Sequence, residues 1–250
     1  MNRLFVPPET IRAEGVELDG ALAHRLRHVL RMRKGDSLIL LDGTGYEYPA
    51  VLEEADGPTL RARVRERRKG PPEPPVEIIL YQSLIKGDRF DWVLEKGTEL
   101  GVARFVPLLV QRSVVRPRDD RPARGERWRR VVTEAAEQCG RSVLPEISPV
   151  TELEDALASA SGLRLLPWEE ERVLGLRTAL RKMTPSPARR GRRTVSLFVG
   201  PEGGFAPEEV ESARARGAQI VSLGPRVLRS ETAGIAAVSA VLYELGGLGG

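Results

Sequence analysis

Apolar and polar positions follow two different rhythms on either side of the segment KGPPEPPV, Lys69 to Val76. Before it, TLRARVRERR sets Leu60, Ala62 and Val64 against Arg61, Arg63 and Arg65, a period of two that buries one face of a strand and turns arginines to the other. DSLILLDG is a buried strand closed by an Asp-Gly turn, YEYPAVLEEA continues the strand pattern, and a short helix is predicted from about Gly20 to Arg31. After the spacer, apolar runs (VEIILYQSLI, RFVPLLV, LRLLPW, TVSLFVG, AQIVSLG) alternate with helical patterns (DRFDWVLEKGTELGV, ERWRRVVTEAAEQC, PEEVESARARG, SETAGIAAVSAVLYELGG). Strands alternating with helices predict a parallel sheet covered on both faces. The four prolines of the spacer fit neither a central strand nor a helix interior and set an extended boundary. The expected class is α/β: a small β domain over residues 1–72 and a larger α/β domain over residues 73–250.

Composition narrows the function. At 250 residues the chain can bury one large core or two smaller ones. No apolar run approaches the ~18 residues of a membrane span, and MNRLFVPPET breaks at Pro7 and Pro8 before a signal-type region forms, so the expected location is the cytoplasm. A single cysteine, Cys139, excludes an intrachain disulfide and a cysteine zinc cluster. With only His24 and His28 besides, no metal site is expected.

Charge says more by position than in total. Of 39 basic residues only five are lysine, so the chain relies on the planar guanidinium that matches phosphates and base edges. The arginines cluster in ALAHRLRHVLRMRKG (Ala21 to Gly35), RARVRERRK (Arg61 to Lys69), Arg112 to Arg130 and RRGRR (Arg189 to Arg193). A nucleic-acid partner fits these clusters; so does a surface shaped by heat tolerance.

Two loops carry candidate chemistry, LFVGPEGGFAPEEV (Leu197 to Val210) and LGPRVLRSETAGIAA (Leu223 to Ala237). Each follows a predicted strand, and in open parallel sheets ligands gather beyond the carboxyl ends of strands. Gly200, Gly203 and Gly204 let the backbone approach a ligand; they equally suit a tight turn. Neither a P-loop nor a G-x-G-x-x-G fingerprint is present, which disfavours phosphate cradling. In the second loop Ser230 fits a helix cap ahead of Glu231 and Thr232.

These two loops together resemble the signature of the SPOUT class of RNA methyltransferases, and in particular its RsmE family, which methylates N3 of a uridine in small-subunit ribosomal RNA. HRLRHVLRMRKGD (His24 to Asp36), EKGTELGVARFVPLLVQRSVV (Glu95 to Val115) and TEAAEQCGRSVLPEI (Thr133 to Ile147) agree with the same family, in order and over nearly the whole chain. The resemblance implies an N-terminal PUA-like β-barrel for RNA, a knotted C-terminal domain, and S-adenosylmethionine as cofactor. It implies cofactor contacts at Leu166, Pro167, Val199, Gly200, Gly203, Leu223, Gly224, Val227, Leu228, Ser230 and Thr232, with the LLPW segment as a third wall. RNA contacts are expected at His24, Arg25, Arg31, Arg112, Glu137 and Arg141. The implied partners are small-subunit ribosomal RNA, or the small subunit itself, and a second copy of the chain. The small side chains of Ala233, Ala236, Ala237 and Ala240 allow close approach of a helix in such a homodimer; a helix packed on its own sheet reads the same way.

The chemistry sets its own demand. Uracil N3 carries a proton and becomes a good nucleophile only once that proton leaves. Arg229 is the candidate to stabilise the resulting anion and Glu231 the candidate to accept the proton. Two alternatives share parts of this pattern: a 2′-O-ribose methyltransferase of the same class, and a non-catalytic RNA-binding assembly factor. The first lacks its characteristic N-terminal motifs here, and the second has no use for two glycine loops at strand ends.

Overall fold

A computed structural model describes residues 1–12, 15–116, 121–182 and 192–249. The arginine-rich run noted above lies, through residue 191, outside the described residues, as do residues 117–120 of the third basic stretch. The chain divides into two compact units, Met1–Glu73 with Thr133–Leu144, and Pro74–Val132 with Pro145–Gly250. The stretch Thr133–Leu144, which the sequence places in the larger domain, is thus counted with the first unit.

The first unit is a sheet of β1 (Asn2–Phe5), β2 (Val16–Leu18), β3 (Ser37–Leu41), β4 (Tyr46–Glu54), β5 (Leu60–Val64) and β6 (Arg68–Lys69), with α1 (Gly20–His24) after β2. The strand order is β1-β3-β4-β5-β2, with β6 beside β4. Only β1 and β3 run parallel. Alternation works as read from the sequence in β5, where Leu60 and Ala62 are buried and Arg61 and Arg63 exposed. Leu4, Leu18, Leu26, Leu38, Leu40 and Leu52 fill the core.

The predicted helix over residues 20–31 forms, but its second half is wound differently. After α1 the chain continues as a π-helical turn, Arg25–Val29, and then Arg31 takes a left-handed backbone with φ of 52°. That conformation is rare for a residue with a Cβ.

The second unit alternates as expected: β7 (Val76–Ser83), α2 (Arg89–Leu100), β8 (Arg104–Leu109), α3 (Arg121–Cys139, whose last turns count with the first unit), β9 (Glu146–Ile147), β10 (Thr151–Glu152), α4 (Leu153–Ser159), β11 (Leu163–Pro167), α5 (Leu176–Arg181), β12 (Arg193–Val199), α6 (Pro207–Ala215), β13 (Gln219–Val221) and α7 (Ser230–Glu244). The strand order is β10-β8-β7-β12-β11-β13, with β9 beside β8, and every pairing is parallel. Burial on both faces explains the near-continuous apolar strands. Ile78, Leu80, Val195 and Leu197 meet Val93 and Leu94 of α2 and Val238 and Leu242 of α7 on one face. Ile79, Tyr81 and Phe198 meet Leu157 of α4 and Val210 of α6 on the other. The Tyr81 and Phe198 rings stack with centroids 4.3 Å apart. Helix α2 stops at Gly101, whose left-handed φ of 96° and closeness to Pro74 leave no room for a side chain. No helix among the described residues is long and apolar enough to cross a membrane.

Candidate functional site

Three neighbouring strands of the second unit, β12, β11 and β13, end side by side at Val199, Pro167 and Val221. The chain leaving each one contributes a wall to a single cavity of about 450 Å³: Trp168, Glu169 and Arg172 after β11; Gly200 to Glu202, Gly204 and Phe205 after β12; Leu223 to Arg229 after β13. Arg89 at the start of α2 and Ser230 and Ala233 of α7 complete it. The volume suits a small molecule or cofactor, for which about 300–1,000 Å³ is usual.

Local chemistry explains each wall. At Gly200 a Cβ would press on the Phe205 ring at 3.2 Å, and at Gly204, with φ of 66°, it would collide with the Glu169 carboxylate. Glycine is required at Gly204 and gives the closest packing at Gly200, keeping the first loop tight. Glu209 then fixes the loop's exit, accepting from the Ala206 and Gln111 backbone N–H groups at 2.8 and 2.7 Å. In the β11 wall, Glu171 accepts from the N–H groups of Val173 and Leu174, and these bonds hold its carboxyl below its ordinary pKa. Ser230 does not cap α7 with its side chain; Arg229 is the cap residue, and the Ser230 hydroxyl donates to the Gly200 carbonyl, tying the second loop to the first.

Charge at the site is uneven. Arg89 faces Glu202 at 3.4 Å and Glu231 at 3.9 Å, and Glu202 also accepts from the Lys86 N–H. The side chains of Arg226 and Arg229 are exposed and form no hydrogen bond or ion pair with a described residue. Trp168 Nε1 on the wall and Glu231 Oε2 are buried polar atoms with no partner among the described residues.

Of the residues expected to meet a cofactor, Pro167, Val199, Gly200, Leu223, Gly224, Val227, Leu228 and Ser230 line the cavity. Three do not. Leu166 is buried in the sheet beside Ile220, Gly203 lies against Arg112, and Thr232 is exposed on the first turn of α7. Arg229 lines the cavity, while Glu231 is not among its wall residues. Arg89, Glu169 and Arg172 escaped the sequence reading, although Arg89 opens α2, the helix that follows β7, and the same strand-end logic points to it.

The residues expected to meet RNA part into two groups. Glu137 is buried, pairing with Arg25 at 2.6 Å and accepting from the Phe5 N–H at 3.0 Å. Arg141 is buried against Glu73 through two hydrogen bonds. These are structural ion pairs, so neither Glu137 nor Arg141 presents its charge at the surface. Arg31 and His24 are exposed, the His24 ring tilted against His28 at 4.7 Å. In the second unit Arg112 is exposed and donates to the Gly203 carbonyl at 3.0 Å. Among the described residues no three His, Cys, Asp or Glu side chains could together hold a metal ion.

Comparison with known proteins gives the family. Residues 72–242 match the RNA methyltransferase domain family, and residues 18–65 match the RNA methyltransferase PUA domain. A Bacillus subtilis protein named ribosomal RNA small subunit methyltransferase E is 32% identical, over 98% of this chain and 97% of its own. A Synechocystis protein of the same name is 37% identical, over 96% of this chain and 76% of its own. The crystal structure of the Neisseria gonorrhoeae protein of that name, bound to S-adenosyl methionine, superposes with a TM-score of 0.82 at 30% identity, covering 97% of both chains.

Proposed function

The chain belongs to the RNA methyltransferase family, among relatives named ribosomal RNA small subunit methyltransferase E, and from that premise we propose that it methylates N3 of a uridine in small-subunit ribosomal RNA with S-adenosylmethionine as donor. The observation that carries the reading is the glycine-walled cavity at the carboxyl ends of three adjacent parallel strands. Its residues fit the donor. Gly200 and Gly204 keep the first loop close against Phe205 and Glu169 so that it can form a wall, Leu223, Val227 and Leu228 supply apolar surface, and the buried Trp168 N–H awaits an acceptor. When bound, S-adenosylmethionine supplies an electrophilic methyl group on a sulfonium.

The chain's task is then to prepare the nucleophile. The Arg229 guanidinium, unspent on any described carboxylate, stabilises negative charge on the uracil oxygens as the N3 proton departs to solvent base. Glu231, lying off the wall and facing Arg89, is assigned to holding that arginine on the wall rather than to accepting the proton. The first unit supplies RNA affinity through Arg31, His24 and the exposed arginines of β5. A trefoil knot in the second unit, a cytoplasmic site of action and a homodimer belong to the same reading. Helix α7 supports the dimer, since Ala236, Ala240 and Tyr243 are exposed while Ala237 is buried against the sheet.

The test is methyl transfer from labelled S-adenosylmethionine to small-subunit ribosomal RNA, with the product nucleoside identified. Methyl at uridine N3 is expected. Methyl on a ribose oxygen, or none on RNA, would overturn the proposal.

A further inference from the structure

At the carboxyl end of β7, Gln82 is buried in the middle of the sheet, with Pro107 of β8 and Val199 of β12 as its register partners. A polar amide there demands a reason, since burying such a group costs free energy unless it is hydrogen-bonded. Its Nε2 donates to Ser230 Oγ at 2.8 Å and to the Ser83 carbonyl at 3.3 Å, and Ser230 Oγ donates to the Gly200 carbonyl. The direction of this relay is forced. A carbonyl only accepts, so the one hydroxyl proton of Ser230 points to Gly200, and the hydroxyl must accept from the amide nitrogen. The other end of the amide, Oε1, has no partner, and only glycine at position 234 leaves it room, because a Cβ there would come within 2.7 Å.

We infer that Gln82 is a positioning residue of the methyl-donor site, acting through Ser230 to hold the Gly200 carbonyl and the start of α7 in fixed relation across the cavity. This rests on the reading that the cavity binds S-adenosylmethionine. The relay joins β7, the loop after β12 and the first turn of α7, so it sets both the floor of the first loop and the position of Arg229. An unmade hydrogen bond at Oε1 is the cost of presenting the N–H₂ end to Ser230. The groups named against Gln82 carry no charge; at this end of α7 the charged side chains are Arg229 and Glu231, the latter facing Arg89.

Gln82→Glu separates positioning from bulk. The introduced carboxylate keeps the shape but can only accept, so Ser230 must turn its proton inward and release the Gly200 carbonyl. Protonated, the same group can donate again, and burial raises its pKa toward neutrality. S-adenosylmethionine affinity, measured by calorimetry and taken relative to wild type at each pH, is expected to be about tenfold weaker near pH 8 and to recover as pH falls toward about 5. Ser230→Ala is expected to be weaker by a similar factor at every pH, with no recovery. A side chain that only stabilised the fold would shift the melting temperature and leave the affinity ratio constant. A constant ratio for Gln82→Glu overturns the relay, and so does wild-type affinity in Ser230→Ala, which decides the matter alone if the first variant fails to fold. Absence of binding by the wild-type chain is a distinct outcome that overturns the donor reading and the relay with it.

Discussion

Arginine is used in opposite ways at two places in the molecule. In the first unit, several guanidinium groups are taken up by carboxylates held largely away from water: Glu47, 3% exposed, takes both Arg3 and Arg68, buried Glu137 takes Arg25, and half-buried Glu73 takes Arg141. At the cavity of the second, Arg226 and Arg229 stand exposed with no described partner. Local arginine density does not distinguish these cases. A carboxylate removed from water demands a paired cation, so burial of the acid decides which arginines are left for a ligand.

That contrast can be broken or sharpened by experiment. The largest effect is expected from Glu47→Ala, which strands two guanidinium groups and should cost about 3 kcal/mol in urea unfolding while leaving S-adenosylmethionine affinity unchanged. Arg229→Ala should do the reverse. Its stability and cofactor affinity should hold while the single-turnover rate falls about 10²-fold, roughly 2.7 kcal/mol, with the deficit shrinking as pH rises and hydroxide deprotonates the base. A deficit constant across pH would make Arg229 a positioning group for RNA instead.

Arg31 tests whether an exposed arginine of the first unit touches phosphate. Arg31→Gly relieves the left-handed backbone and should raise stability by up to about 1 kcal/mol, while the salt dependence of RNA binding should lose about one unit of slope. An unchanged slope would leave Arg31 as solvated surface. The smallest effect is expected at Glu171. Because its folded pKa is lowered, its contribution is complete above its unfolded pKa and disappears as pH falls through the folded one. Glu171→Gln should therefore cost less than about 1 kcal/mol at neutral pH, a difference that closes in acid unfolding titrations.

Much of this was legible in the chain. The apolar runs TVSLFVG and VEIILYQSLI became β12 and β7, and SETAGIAAVSAVLYELGG became α7, because burial on both faces leaves an unbroken apolar signature. Most of the cavity wall followed from two loops at strand ends. Other features have no local signature. That β12 lies between β7 and β11 is a long-range pairing, and it alone brings Gln82 to Ser230, 148 residues away. The helix over residues 20–31 formed, but its change from α to π winding at Arg25 leaves no mark on the apolar spacing. Glu137 and Arg141 looked like ligand-facing groups because their partners, Arg25 and Glu73, lie 112 and 68 residues away.

The first unit is assembled from two separated stretches, Met1–Glu73 and Thr133–Leu144. During synthesis it cannot be completed until residue 144 has left the ribosome, by which time β7, α2 and β8 have already emerged. Severing the chain after Glu73 would leave Glu137 and Arg141 without Arg25, the Phe5 N–H and Glu73. Neither unit is a cassette that recombination could move with one crossover: the two are inherited together.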